Sequence, residues 1–261
     1  MSEASDIGYL AMAAAYGAIA VSLVLWAVLR IRLYRDLLVA VVRMSVQLAL
    51  VGYYLTALFE LNNPFVNVGW VVAMTAVANL SLLRGSGLRM SLFPYTFPAL
   101  LLAVAAVLAY YIFLVFTPDP IFDARYVIPV GGMVLGNSMN RTIVTLERFY
   151  RDIRRDSEGY AAFLTIGATV HEACAPYMRT AYRAGLAPQL ASIATMGLVA
   201  LPGMMTGQIL GGSSPLVAIK YQVAIIIAIF ASTELASFFT VKLSMLRGFD
   251  DLGFLRTDIF K

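Results

Sequence analysis

Along this chain the apolar residues run in long unbroken blocks instead of alternating or returning on one face. No Asp, Glu, Lys or Arg interrupts Ile7 to Leu29, Val66 to Leu83, Met90 to Phe116 or Pro188 to Ile219. Leu37 to Phe59 holds only Arg43, and Tyr221 to Val241 holds only Glu234. A seventh block, Tyr126 to Asn140, is shorter and richer in Gly and Asn. A helix needs about 20 apolar residues to cross the hydrocarbon core, where its backbone polar groups must be satisfied internally. Barrel strands would show blocks of about 10 residues with strict alternation, which is absent here. The pattern predicts an all-α, polytopic membrane protein with about seven transmembrane helices.

Composition agrees. Of 261 residues, 61% are hydrophobic and 13% charged, far from the balance of a water-soluble domain. One cysteine, 19 glycines and 10 prolines exclude a disulfide scaffold and a collagen-like repeat. Met1 to Asp6 carries Glu3 and Asp6 and no basic residue, which is the opposite of a secretory leader. Basic residues then set the orientation. With the N-terminus outside, Arg30, Arg32, Arg35, Arg84, Arg89, the stretch from Arg141 to Arg183, Lys242, Arg247, Arg256 and Lys261 fall in the cytoplasm. The outer loops keep Arg125, Glu60, Asp119 and Asp123, with Lys220 near the outer end of the last helix. The C-terminus is expected inside, and Cys174 in a reducing compartment.

Asn62-Asn63-Pro64 and Thr117-Pro118-Asp119-Pro120 read as outer turns and Arg84-Gly85-Ser86-Gly87 as an inner one. Residues 147–189 differ in kind. They form a basic helical insert in which Phe149 and Ile153 share a face, with a break near Gly167. Its apolar content exceeds that of a solvated loop. Docking into a partner subunit is the favoured reading, with a membrane-surface role second.

Two segments, Ile128-Pro129-Val130-Gly131-Gly132-Met133-Val134-Leu135-Gly136-Asn137-Ser138-Met139-Asn140 and Val199-Ala200-Leu201-Pro202-Gly203-Met204-Met205-Thr206-Gly207-Gln208, resemble signature segments of the FetB-type ABC transporter permeases. Ala218 to Gln222 and Val42 to Leu48 are similar to the same family. The family includes bacterial iron exporters and plant half-transporters linked to aluminium tolerance. The resemblance implies a single permease domain over residues 1–261, without an ATP-binding domain of its own, working with a separately encoded ATPase. It is consistent that the sequence has no GxxxxGK[ST] phosphate loop. ATP and magnesium are then expected on the partner subunit and no cofactor on this chain. Two ATP sites imply two copies of the permease. Arg151, Arg154 and Arg155, or the segment around Gly167, are the expected contacts with the ATPase.

Polar residues inside the spans are the candidates for a substrate path. Arg43 and Glu234 lie about six and eight residues in from the inner ends of their blocks, at a shared depth of roughly 9–12 Å. Such charges pair or face a cavity, and a structural ion pair and a working cavity wall stand level. Gln47 extends the Arg43 face by one turn. Gly132 and Gly136 have the spacing of a close helix crossing. Asn137 and Asn140 could bond across helices or offer carbonyl oxygens to a cation. Met133, Met139, Met204 and Met205 are soft ligands, but with 12 methionines most are filler. His171 and Cys174 are only two ligands, and no second His exists, so no metal site is assigned. Pro202-Gly203 predicts a kinked sixth helix beside the path.

The leading expectation is an ABC permease subunit in a cell membrane, exporting a metal such as iron. It is not expected to be an enzyme, and no nucleic-acid partner is expected. A different cargo such as a nucleotide sugar, or a proton-coupled carrier using Glu234, is the alternative.

Overall fold

The computed structural model describes residues 8–199 and 201–261. They form ten α-helices: α1 (Tyr9–Gly17), α2 (Ile19–Val28), α3 (Tyr34–Leu61), α4 (Pro64–Gly85), α5 (Phe93–Tyr111), α6 (Ala124–Arg155), α7 (Ser157–Thr165), α8 (Val170–Thr195), α9 (Gly203–Leu210) and α10 (Pro215–Gly248). A 3-10 turn, Met90–Leu92, leads into α5 and a π-helical segment, Ile112–Phe116, extends it. Strands are absent among the described residues. Among the described residues five stretches are long and apolar enough to cross a membrane: α1 with α2, then α3, α4, Met90–Phe116 and α10. The protein is a multi-pass helical membrane protein.

Two sequence expectations change. The block Tyr126 to Asn140 is only the first half of α6, which continues without interruption to Arg155. The block Pro188 to Ile219 is not one kinked helix. α8 ends at Thr195, the chain turns through Gly197 at φ +86°, and Pro202 then opens the short α9. The positive φ at Gly197 explains why a charge-free run fails to stay helical. Glu3 lies outside the described residues.

The core lies among α4, α5, α6, α8 and α10, with Val71, Leu100, Val104, Val134, Leu146, Ile225 and Val241 buried together. Apolar surface gives helices no reason to prefer one another over lipid tails, so small and polar residues decide who packs. Between α6 and α10 the Ser138 hydroxyl donates to Ser232 at 3.0 Å, Thr142 and Ser237 share a 3.3 Å bond, and the Tyr150 hydroxyl donates to Ser244 at 2.9 Å. α8 crosses α6 at Gly185, where a Cβ would overlap Thr145 Oγ1 and lie 3.2 Å from the Arg141 carbonyl.

The two ends of this bundle are tied differently. At the end holding Asn62, the Asn67 side chain donates to the Phe122 carbonyl at 2.8 Å, and Asn62 accepts from the Ala124 N–H at 2.9 Å. At the opposite, basic end the C-terminal segment folds back. The Arg89 N–H donates to Ile259 and the Lys261 N–H to Gly87, while the Arg154 guanidinium sits 4.9 Å over the Phe260 ring. Arg247 hydrogen-bonds Asp258 at 2.9 Å and holds that carboxyl below its usual range.

Candidate functional site: uncovered polar positions and a projecting helix

α6 is polar along one side, and that side is left open. Asn137 and Asn140 are exposed, and the Asn137 amide donates to its own helix, to the Met133 carbonyl at 2.8 Å. Gly136 has nothing within 4 Å, and Gly132 meets only the Met74 methyl at 3.7 Å. The close approach falls at Gly131, against Leu108 and Val71 at 3.5 Å. Met133, Met139 and Met204 pack against the core, so they are not a set of open sulfur ligands. No group of three His, Cys, Asp or Glu that could hold a metal occurs among the described residues.

A second opening lies between α8, α9 and α10. It is a cavity of about 450 Å³, lined by Ile193, Met196, Met205, Gln222, Val223 and Ile227 among others. Gln222 is 7% exposed, and its side-chain oxygen has no hydrogen-bond partner. The side-chain oxygens of Gln189 and Gln208 are likewise buried and unpaired. Burying such groups costs unless something meets them. The unpaired Gln222 oxygen in the cavity wall, with Met196 and Met205 also lining it, can accept a hydrogen-bond donor or meet a cation. Gln222 stood inside a family-like segment of the sequence, but nothing in the sequence marked its side chain as buried and unpaired.

Arg43 and Glu234 do not meet. Arg43 is exposed on α3, in an open hollow with Arg35, Asp36, Met44 and Gln47. Glu234 is half-buried on α10, within electrostatic reach of Tyr182 of α8, whose hydroxyl is buried without a partner. The four ion pairs among the described residues all lie at the basic end and involve neither of them.

The insert 147–189 comprises the end of α6, α7 and most of α8. Phe149 and Ile153 share a face, as their spacing predicts, and both are buried in this chain's own core. Tyr160, Ala173 and Cys174 are buried with them, so much of the apolar content read as a docking surface is used internally. Arg151 bonds Glu147 at 2.6 Å, and Arg154 is held over Phe260. Arg155 is open beside a cleft of about 560 Å³ between α6, α7 and α8, whose lining includes Asp152, Asp156, Phe163 and Tyr177. α7 is fastened by the Tyr160 hydroxyl, which donates to the Gly253 carbonyl at 2.7 Å. Its outer side projects Phe163, 40% exposed, and Ile166, 81% exposed, before Gly167 turns the chain at φ +92°.

The chain matches the model of an uncharacterised protein family, UPF0014, over residues 9–249. It is 35% identical over 234 residues to the UPF0014 membrane protein slr1647 of Synechocystis, covering 89% of this chain and 88% of that one. It is 30% identical over 236 residues to the protein Aluminum Sensitive 3 of Arabidopsis thaliana, covering 86% and 81%. It is also 30% identical over 225 residues to the "Probable iron export permease protein FetB" of Escherichia coli, covering 84% and 86%. No solved structure matches the chain.

Proposed function

Because this chain belongs to the UPF0014 family of membrane proteins, we propose that it is the permease subunit of an ABC-type exporter of metal ions. The observation that carries this reading is α7. It is a short helix fixed to the core by Tyr160, and it presents Phe163 and Ile166 beyond the ends of the spanning helices. Two exposed apolar side chains, Phe163 and Ile166, on a helix fastened to the core support a contact with another protein there. A separate ATPase binds there, with ATP and magnesium on that subunit, and two copies of the permease serve its two ATP sites. The basic end is read as facing the cytoplasm, which the distribution of arginines supports. Metal cargo rests on the name of the FetB relative and on the unpaired Gln222 oxygen in the α8–α10 cavity.

Co-purification with an ATPase tests the reading. Ile166→Asp should release the ATPase and leave the permease in the membrane. Replacing Arg151, Arg154 and Arg155 by Glu should weaken the contact less, because two of the three are engaged within the chain. ATP hydrolysis that ignores the permease, or unchanged cell metal content when the gene is removed, would overturn the respective half of the proposal.

A further inference from the structure

The first three helices stand apart from the bundle. Among the described residues α3 packs on it near the Leu61 end, where Tyr54, Leu55, Leu58 and Phe59 pack with Trp70, Ala124 and Ile128. From there α3 runs free toward the basic end. The tie of its free half outside the bundle is to α1, where the Tyr16 and Ser45 hydroxyls lie 2.6 Å apart. The side bearing Arg43 and Gln47 is uncovered.

Arg43 lies 18 residues from Leu61 along α3, and Glu234 lies 19 residues from Pro215 along α10. Both helix ends are at the same end of the bundle. At a rise of 1.5 Å per residue the two charges are about 27 and about 28 Å from it. Counted from those ends the two charges lie at similar depth, are opposite in sign and enter no ion pair among the described residues. Glu234 also lies on the partly open stripe of α10 that runs through Ile219, Val223 and Ile227, whose outer part lines the cavity described above. That face has its carboxylate at the depth where the free half of α3 carries its guanidinium.

We propose that in the assembled transporter α3 of one copy lies across the α8–α10 face of the other, and that Arg43 pairs with Glu234 between copies. The inference rests on the two-copy assembly proposed above and names its surface. A two-fold axis makes the contact occur twice, each copy giving one arginine and one glutamate. The helix that crosses over also closes the open side of the cavity, so each path would be walled by both copies. Charges within a membrane protein face such protein partners rather than tails.

Two differently tagged copies, one with Arg43→Cys and one with Glu234→Cys, both carrying Cys174→Ala, test this with a short flexible bifunctional thiol reagent. A product of twice the chain mass carrying both tags is expected. Tagged copies that co-purify but do not cross-link would overturn the inference while the two-copy reading stands, leaving Arg43 to lipid headgroups. Copies that never co-purify would overturn both. Charge reversal guards against a variant that misfolds. Arg43→Glu and Glu234→Arg should each reduce capture of the second copy more than about tenfold, and the two together should restore it. Failure of the double reversal to restore capture would also overturn the pairing.

Discussion

α3 and α10 are both long helices whose apolar stretch is interrupted by one charge, Arg43 and Glu234, yet they have opposite fates. None of the most apolar stretch of α3 is buried, against 39% of that of α10. Hydropathy does not separate them, since lipid accepts the apolar side chains of either helix equally well. The difference lies in small polar residues. α10 buries Ser232, Thr233, Ser237, Thr240 and Ser244, three of which bond to α6. α3 has Ser45 and Thr56 in the corresponding role, and neither is bonded to the bundle. A membrane bundle is held by what cannot be left in lipid, and the arm carries little of that except Arg43.

The sharpest way to break this comparison is to remove side-chain volume on each side of it. Phe149→Ala, at a fully buried position of the basic end, should cost about 3–5 kcal/mol. Leu48→Ala, on the exposed side of α3, should stay within about 0.5 kcal/mol. Thermal unfolding of the detergent-solubilised chain measures both. Equal losses would mean that the arm is packed as tightly as the bundle, and the contrast would fall.

Adding volume sharpens the same contrast with a smaller effect. Gly185→Val drives a side chain into Thr145 and toward the Arg141 carbonyl, so a loss of about 1–3 kcal/mol is expected. Gly52→Val on α3 meets nothing within 4 Å and should be silent in the same unfolding measurement. A Gly52 variant that unfolds early would show the arm seated on the bundle after all.

The spans themselves were legible, because a run without charge is a strong signal and lipid leaves the chain few other choices. Tyr126 to Asn140 reads as a separate short span because Arg141 and Glu147 mark an end in composition. The helix does not end there, since Thr142, Leu146, Phe149 and Ile153 continue its buried face. The break after Thr195 was placed too late, at Pro202-Gly203, because the turn begins at Gly197, whose positive φ leaves no trace in hydropathy. Arg43 and Glu234 were matched in depth from helix geometry, which one helix at a time can supply. That they stand apart within one chain depends on how α3 leaves the bundle, and no local pattern encodes that. Gln222, an amide in an apolar run, and Tyr182, a phenol beside Arg183, look ordinary in the sequence until their burial is known.

The smallest expected effect concerns helix starts, where bundle and arm differ again. α8 opens with a reciprocal cap. The Glu172 N–H donates to the Thr169 hydroxyl, while the Thr169 N–H and hydroxyl donate to the Glu172 carboxylate at 2.8 and 2.7 Å. α3 opens at Leu33 with no side-chain cap. Thr169→Ala should therefore cost about 1 kcal/mol near neutral pH. Those Thr169 hydrogen bonds hold the Glu172 carboxyl below the ordinary range for a glutamate. A folded-state pKa that is lowered contributes stability above the unfolded value, and that stability is lost as pH falls through the folded one. The Thr169→Ala deficit should accordingly shrink as the pH is taken below the usual carboxylate range, because protonation costs the parent the hydroxyl-to-carboxylate bond that the variant already lacks. Unfolding of parent and variant across that range checks it. A deficit that stays constant into acid would assign the effect to the Thr169 hydroxyl alone, with the Glu172 charge contributing nothing to the start of α8.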